Sequence, residues 1–282
     1  MFRQICTYGR CVCIHLSMFV YILADFMYPA YVWPVCVACC MGGAYNVVYA
    51  FGFGYGLAMT ANGVMGYIHF DPTRFKDNWS VVTRYSHIVG YASYGVRLFS
   101  FLLQRHLSES YTTKAADMQQ KSDKMTLGSK LFISLFVGSL MSLYHAGLYY
   151  HLNSKKSPTF VTYCGILLWM TGLAIETVSD QQKLTAKQYD PNSFVSTGLY
   201  SYCRHPNYLG EMMYHVGMFL NAAPSCQTWL EVLMSAAAPG AMTWVMFGAT
   251  KGLESRQLAK YGKDMAYIAY KADTPSLFPL FF

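Results

Sequence analysis

The residues able to do chemistry are concentrated between positions 172 and 270. Glu176 and Asp180 stand four residues apart in a segment that begins at Gly172 and also holds Ser179. On a helix this spacing puts both carboxylates on one face. Like charges repel, so a cation, a hydroxyl-rich ligand or a bound proton must offset them. Asp190-Pro191-Asn192 then signals a turn. After it comes Gly198-Leu199-Tyr200, and then Arg204-His205-Pro206-Asn207-Tyr208-Leu209-Gly210-Glu211. This run is too polar for lipid and too rich in donors for an idle linker. Pro206 predicts a helix start. Asn207 and Tyr208 would then lie in the first turn, beside free backbone N–H groups and the positive end of the dipole. Arg204 and His205 immediately before them complete a setting that suits an anionic group. Glu211 follows Asn207 by four residues. A carboxylate at membrane depth is a functional candidate by default, with an internal pair to Arg204 or His215 as the bland alternative. A third group, Glu254, Arg256, Tyr267 and Tyr270, could reach back to the 198–211 turn.

These residues need elements to position them, and composition says which. Of 282 residues, 54% are hydrophobic and 12% charged, against about a quarter charged in soluble domains. The chain reads as an all-α, polytopic integral membrane bundle. Apolar segments near 11–33, 44–68, 85–103, 129–150, 159–178, 207–223 and 229–249 predict six or seven transmembrane helices, the first interrupted by Asp25, Pro29 and Pro34. Arg3 and Arg10 ahead of an apolar run fit a signal anchor. With seven spans the polar stretches 104–128, 179–206 and 250–282 share one face. Their Lys and Arg excess puts that face in the cytosol or matrix. The net charge of +7 is mostly this asymmetry. It suits anionic headgroups or a phosphorylated cofactor. The charges are too dispersed for nucleic acid. Arg97 lies inside an apolar span and must face protein, water or a headgroup, with snorkelling as the bland reading. Cys36, Cys39 and Cys40 sit in an apolar run without a second ligand pair. They read as buried thiols, and no metal site is expected.

The three polar groups, in this order, resemble the C-terminal domain of the steroid 5α-reductase superfamily, and most closely its steroid-reductase-like membrane branch. The resemblance rests on the 172–180 element, the 198–211 run and the Glu254…Tyr270 segment. The weaker Tyr94-Gly95-Val96-Arg97 element also fits. It covers roughly 85–282 and leaves 1–84 as N-terminal transmembrane helices with little likeness to the family. It implies a membrane-embedded NADPH-dependent reductase of a carbon–carbon double bond in a lipid or sterol-like substrate. Glu176, Asp180, Arg204, His205, Asn207, Tyr208, Glu211, Glu254, Arg256, Tyr267 and Tyr270 would bind the cofactor. Asp180 would contact the adenosine-ribose region. Asn207, Glu211 and Arg204 would contact the nicotinamide or phosphates, and Tyr267 and Tyr270 would line the cleft. No catalytic residue is assigned. Glu176 stands where sterol reductases commonly carry Asn, a departure from the steroid-reducing members. The 198–211 run is also similar to that of isoprenylcysteine carboxyl methyltransferases and phospholipid methyltransferases. That likeness implies S-adenosylmethionine instead, with Arg204 and His205 flanking its carboxylate and Glu254 holding another group. A third reading is a non-catalytic subunit that kept the fold, its Met-rich and aromatic first half packing on partners in a membrane complex. The endoplasmic reticulum and the mitochondrial inner membrane both fit.

Overall fold

The computed structural model describes residues 31–278. The expected span at 11–33, apart from its last three residues, and the basic lead-in before it lie outside the described residues. Among the described residues the chain is all-α, with no strand. The main helices are α1 (Tyr31–Ala44), α2 (Tyr55–His69), α3 (Asn78–His106), α4 (Thr112–Asp123), α5 (Leu127–Asn153), α6 (Phe160–Tyr189), α7 (Pro206–Ala222), α8 (Trp229–Tyr261) and α9 (Met265–Asp273).

Local sequence sets the starts. The Asp77 side chain accepts from the Ser80 amide ahead of α3, at 2.7 Å. Thr126 and Thr228 cap α5 and α8 in the same way. Thr159 and Thr162 form a reciprocal capping box on α6. Pro206 occupies the first turn of α7, as its position predicts. A π-helical turn, Ala50–Gly54, leads into α2.

Contacts at the two ends give the helices alternating directions. Arg84, near the start of α3, donates to the carbonyls of Ser154 and Lys156 at 2.6 and 3.2 Å, just past α5. Lys156 donates to the Cys226 carbonyl between α7 and α8. At the other end Lys187 on α6 reaches the Tyr261 hydroxyl at 3.2 Å. The polar stretches 179–206 and 250–274 therefore meet at one end.

Three helices are long and apolar enough to cross a membrane, α5, α6 and α8, among the described residues. This is fewer than the six or seven spans expected. The expected segments are helical, but α2 and α7 have 15 and 17 residues. The 29 residues of α3 include Arg84, His87 and Arg97, which dilute its hydropathy.

Large apolar side chains face outward as well as inward. Phe160, Trp229 and Trp244 are 82%, 84% and 79% exposed, and Phe132, Leu167 and Leu233 also face outward. Such an outer surface suits lipid. The interior holds Tyr55, Tyr94, Tyr144 and Tyr214, along with His87, His145 and His215. Cys36 and Cys40 are buried there too, as the apolar run implies, whereas Cys39 on the same helix is only half-buried.

Small residues bring the backbones together. On α6 and α7, a Cβ at Gly165 would lie 2.4 Å from the Asn221 nitrogen, and one at Gly217 2.4 Å from the Trp169 nitrogen. One turn-set further along, Gly210 opposes Gly172 and Glu176. A parallel seam joins α2 to α3 at Gly56, Gly63 and Gly95. Close approach of this kind is how helices associate where lipid removes the hydrophobic drive.

Candidate functional site

The α6–α7 seam ends in a polar cluster. Arg97, reaching over from α3, places one terminal nitrogen 2.5 Å from Glu176 and the other 2.5 Å from Asp180. The guanidinium fork thus takes two carboxylates one helical turn apart, with one donor for each. All three side chains are at most 13% exposed. The cation required by the two like charges is therefore within the chain, and Arg97 is no snorkelling residue.

Asn207, in the first turn of α7, donates its amide to Asp180 at 3.2 Å. The Asn207 carbonyl oxygen and the second Glu176 oxygen are buried without a hydrogen-bond partner. Unmet buried acceptors are costly, and a donor from water or a ligand would offset that cost. Glu211, one turn on, lies 3.7 Å from His215. His215 is held between the hydroxyls of Tyr55, at 3.0 Å, and Tyr144, at 2.8 Å. Tyr55 also donates to Tyr94 at 3.0 Å, and Tyr94 stacks on Tyr214 with ring centroids 4.0 Å apart.

A second assembly stands beside the first. Arg204 binds Glu254 through two parallel hydrogen bonds of 3.0 and 2.8 Å. Its remaining terminal nitrogen donates to the carbonyls of Lys271 and Thr274. His205 meets the same carboxylate at 2.6 Å. The backbone amides of Arg204 and His205 donate to Pro275 and Ser276 at 2.9 and 3.1 Å. Burial holds the His205 imidazole below its ordinary pKa, against the opposing pull of Glu254. The Arg204 guanidinium is thus saturated by protein, and this group clasps the segment after α9 to the turn before α7. Tyr208 stacks on the His205 ring at 5.7 Å.

A small cleft of about 30 Å³ lies against the second assembly. Lys183, Lys187, Tyr200, Gln257, Tyr261 and Tyr270 line it, with Phe194, Arg204 and Tyr267. Gly198, at φ +64°, makes the turn that forms one rim, and the Gln182 carbonyl accepts from the Leu199 amide at 2.9 Å. Only glycine adopts that backbone freely. Tyr270 donates to the Tyr200 carbonyl at 2.7 Å, and Tyr200 to that of Ser179 at 3.2 Å. The Tyr267 hydroxyl is buried without a partner. Burial raises the pKa of both Tyr267 and Tyr270, so both remain donors.

The charge around this cleft is unbalanced. Arg105, Lys114, Lys183, Lys187 and Arg256 make no ion pair with a carboxylate among the described residues. They lie within electrostatic range of one another: Lys114 feels Arg105, Arg256 and Lys187. Burial first, and then these three cations, lower the Lys114 pKa.

The structure thus gathers Glu176, Asp180, Asn207 and Glu211 in one group. It gathers Arg204, His205 and Glu254 in another, with Tyr208 between them. Tyr267 and Tyr270 line the cleft, and Arg256 stands among the surrounding cations. Sequence reasoning gave no site role to Arg97, Tyr55, Tyr144, Lys183 or Lys187. Arg97 carried a signal, its burial in an apolar span. The tyrosines did not stand out among the 24 in the chain.

Residues 73–274 match the model of a family described as a protein of unknown function, DUF1295. No curated protein and no solved structure matches the chain.

Proposed function

The chain belongs to the DUF1295 family, and on that premise we propose that it is a membrane-embedded, NADPH-dependent reductase of a carbon–carbon double bond in a lipid. The steroid 5α-reductase-like character of its motifs supports the reaction class. One observation carries the cofactor: Lys183 and Lys187 line the cleft and lie within electrostatic range of Lys114, which also feels Arg256, and none of the four has a carboxylate partner among the described residues. Such a rim is destabilising until a polyanion neutralises it. NADPH brings three phosphate groups. S-adenosylmethionine brings none and carries a sulfonium cation, which the same rim repels.

In this reading Lys183, Lys114 and Arg256 hold phosphate, while Lys187, whose amine already donates to the carbonyls of Pro191 and Ser193 and to the Tyr261 hydroxyl, adds positive charge to the rim. The Asn207 carbonyl and the free Glu176 oxygen accept from an amide or hydroxyl of the cofactor. Arg97 keeps Glu176 and Asp180 in place for that task. Tyr267 and Tyr270 flank the cleft and offer hydroxyl donors. Arg204, His205 and Glu254 position the turn and act on the cofactor only through it. When bound, NADPH supplies a hydride. The other half of the addition is a proton. The Tyr55–His215–Tyr144 chain beside Glu211 holds exchangeable protons at the buried end of the polar cluster. The substrate reaches the site from the bilayer of the endoplasmic reticulum or the inner mitochondrial membrane, with the cleft facing cytosol or matrix.

The test is thermal stability of the purified protein in detergent. NADPH raises the Tm, and Asp180→Ala and Asn207→Ala each remove that rise. A rise with S-adenosylmethionine and none with NADPH overturns the reading in favour of methyl transfer. Isolation in a large stable assembly that answers to neither cofactor overturns it in favour of a non-catalytic subunit.

A further inference from the structure

A second cavity lies at the same end of the bundle. Its volume is about 240 Å³. The link between α1 and α2 forms one side, and the last turns of α3 and the face of α4 form the others. Arg105 and Arg97 are eight residues apart on α3, or about 12 Å at ~1.5 Å per residue. The cavity is therefore distinct from the Arg97 cluster.

Its lining is divided by chemistry. Phe53, Leu102, Ala115, Ala116 and Met118 present an apolar wall. Tyr49 and Phe53 meet His106 edge-on, with centroids 6.0 and 6.1 Å away. At one end stands Arg105, its guanidinium 4.9 Å from the Tyr111 ring and 5.5 Å from Phe101. Arg105 has no carboxylate partner among the described residues, and its Nε is buried without a hydrogen-bond acceptor. The walls are tied together. Asn46 donates to Gln119 at 2.6 Å, and the Val47 amide donates to Ser122 at 3.1 Å. These bonds fasten α4 across the α1–α2 link.

We propose that this cavity binds an amphipathic anion, an apolar body with a carboxylate or phosphate head. The head neutralises Arg105 and satisfies its buried N–H. A charge-assisted bond to a planar guanidinium is among the stronger polar contacts available. The apolar body covers Leu102, Met118 and the aromatic rings. A cationic ligand is excluded, because Arg105 and the neighbouring Lys114 repel it. A neutral ligand leaves the arginine unpaired. The volume falls below the ~300 Å³ usual for a drug-sized pocket. It therefore takes a head and the first part of a chain, with the remainder outside the cavity. The inference does not depend on the cofactor of the neighbouring cleft.

The experiment is direct titration of the purified protein in a neutral detergent. Laurate and lysophosphatidate are the anionic probes. Dodecanol and lysophosphatidylcholine are the controls. At least one anionic probe binds, and Arg105→Gln weakens it by about tenfold or more. Ala115→Trp fills the cavity and abolishes binding while helical circular dichroism stays unchanged. Binding of laurate alone assigns a carboxylate head, of lysophosphatidate alone a phosphate head, and of both a shared anionic-head site. Equal binding of the controls, undiminished binding to Ala115→Trp, or no binding of either anion overturns the proposal. If Ala115→Trp does not fold, a photoactivatable laurate decides on the unmodified protein. Labelling of Leu102 or Met118 supports the site, and labelling confined elsewhere overturns it.

Discussion

Gly172 and Gly210 face each other across α6 and α7 so closely that a Cβ on Gly172 would lie 2.5 Å from the Gly210 carbonyl oxygen. That approach sets the distance between Asp180 and Asn207 further along the same seam, where Asp180 follows Gly172 on α6 and Asn207 precedes Gly210 on α7. Gly172→Ala must separate the helices, at about 1–3 kcal/mol of overpacking. A lower Tm is expected, together with weaker binding of NADPH, because Asn207 moves away from Asp180. Gly248→Ala is the control, since nothing lies within 4 Å of a Cβ there. Its Tm stays unchanged or rises slightly.

Arg97 neutralises one of two buried charges and half-neutralises the pair. Arg97→Met leaves Glu176 and Asp180 unpaired in the interior and costs about 3–5 kcal/mol, as removal of one partner from a buried ion pair does. The triple variant Arg97→Met, Glu176→Gln, Asp180→Asn recovers most of that loss. Denaturation in detergent checks the ordering. A triple variant as unstable as the single one refutes it.

His205 gives a pH dependence whose sign can be worked out. Its folded pKa lies below the unfolded value of about 6.5. Between the two values the unfolded chain binds more protons, so stability rises with pH. The contribution is complete above about pH 6.5 and is lost as pH falls through the folded value. The Tm of the wild type therefore drops on acidification below about pH 6.5, and His205→Gln flattens that limb. Scans of Tm against pH for both proteins make the comparison.

If the cationic rim holds phosphates, NADPH binding weakens as ionic strength approaches ~0.1 M, where screening acts over about 10 Å. Lys183→Gln with Lys187→Gln reduces both the affinity and its dependence on salt. NADH, which lacks one phosphate, binds more weakly and with a shallower salt dependence. Equal salt slopes for the two nucleotides would refute a phosphate role for the rim.

What the sequence disclosed was local. The spacing of Glu176 and Asp180 predicts a shared face, and one arginine takes both. Pro206 predicts the start of α7, and α7 begins there. What it concealed was the order of helices around the bundle. Arg97 precedes Glu176 by 79 residues, and no pattern along the chain joins them. Arg204 read as open to an anion because its partner, Glu254, lies 50 residues away. Hydropathy reveals lipid-facing surface, so helices such as α3, whose inner face holds Arg84 and His87, score poorly wherever protein replaces lipid around them.

The clasp on residues 271–276 has a consequence for biosynthesis. Every long helix of the bundle has been translated before these residues exist. The helices can insert and pack in the membrane while Arg204 still lacks the carbonyls of Lys271 and Thr274. The clasp thus takes shape after the helices that carry it. A nascent chain arrested after α8 would resemble the finished protein in its bilayer embedding while having no assembled polar clasp.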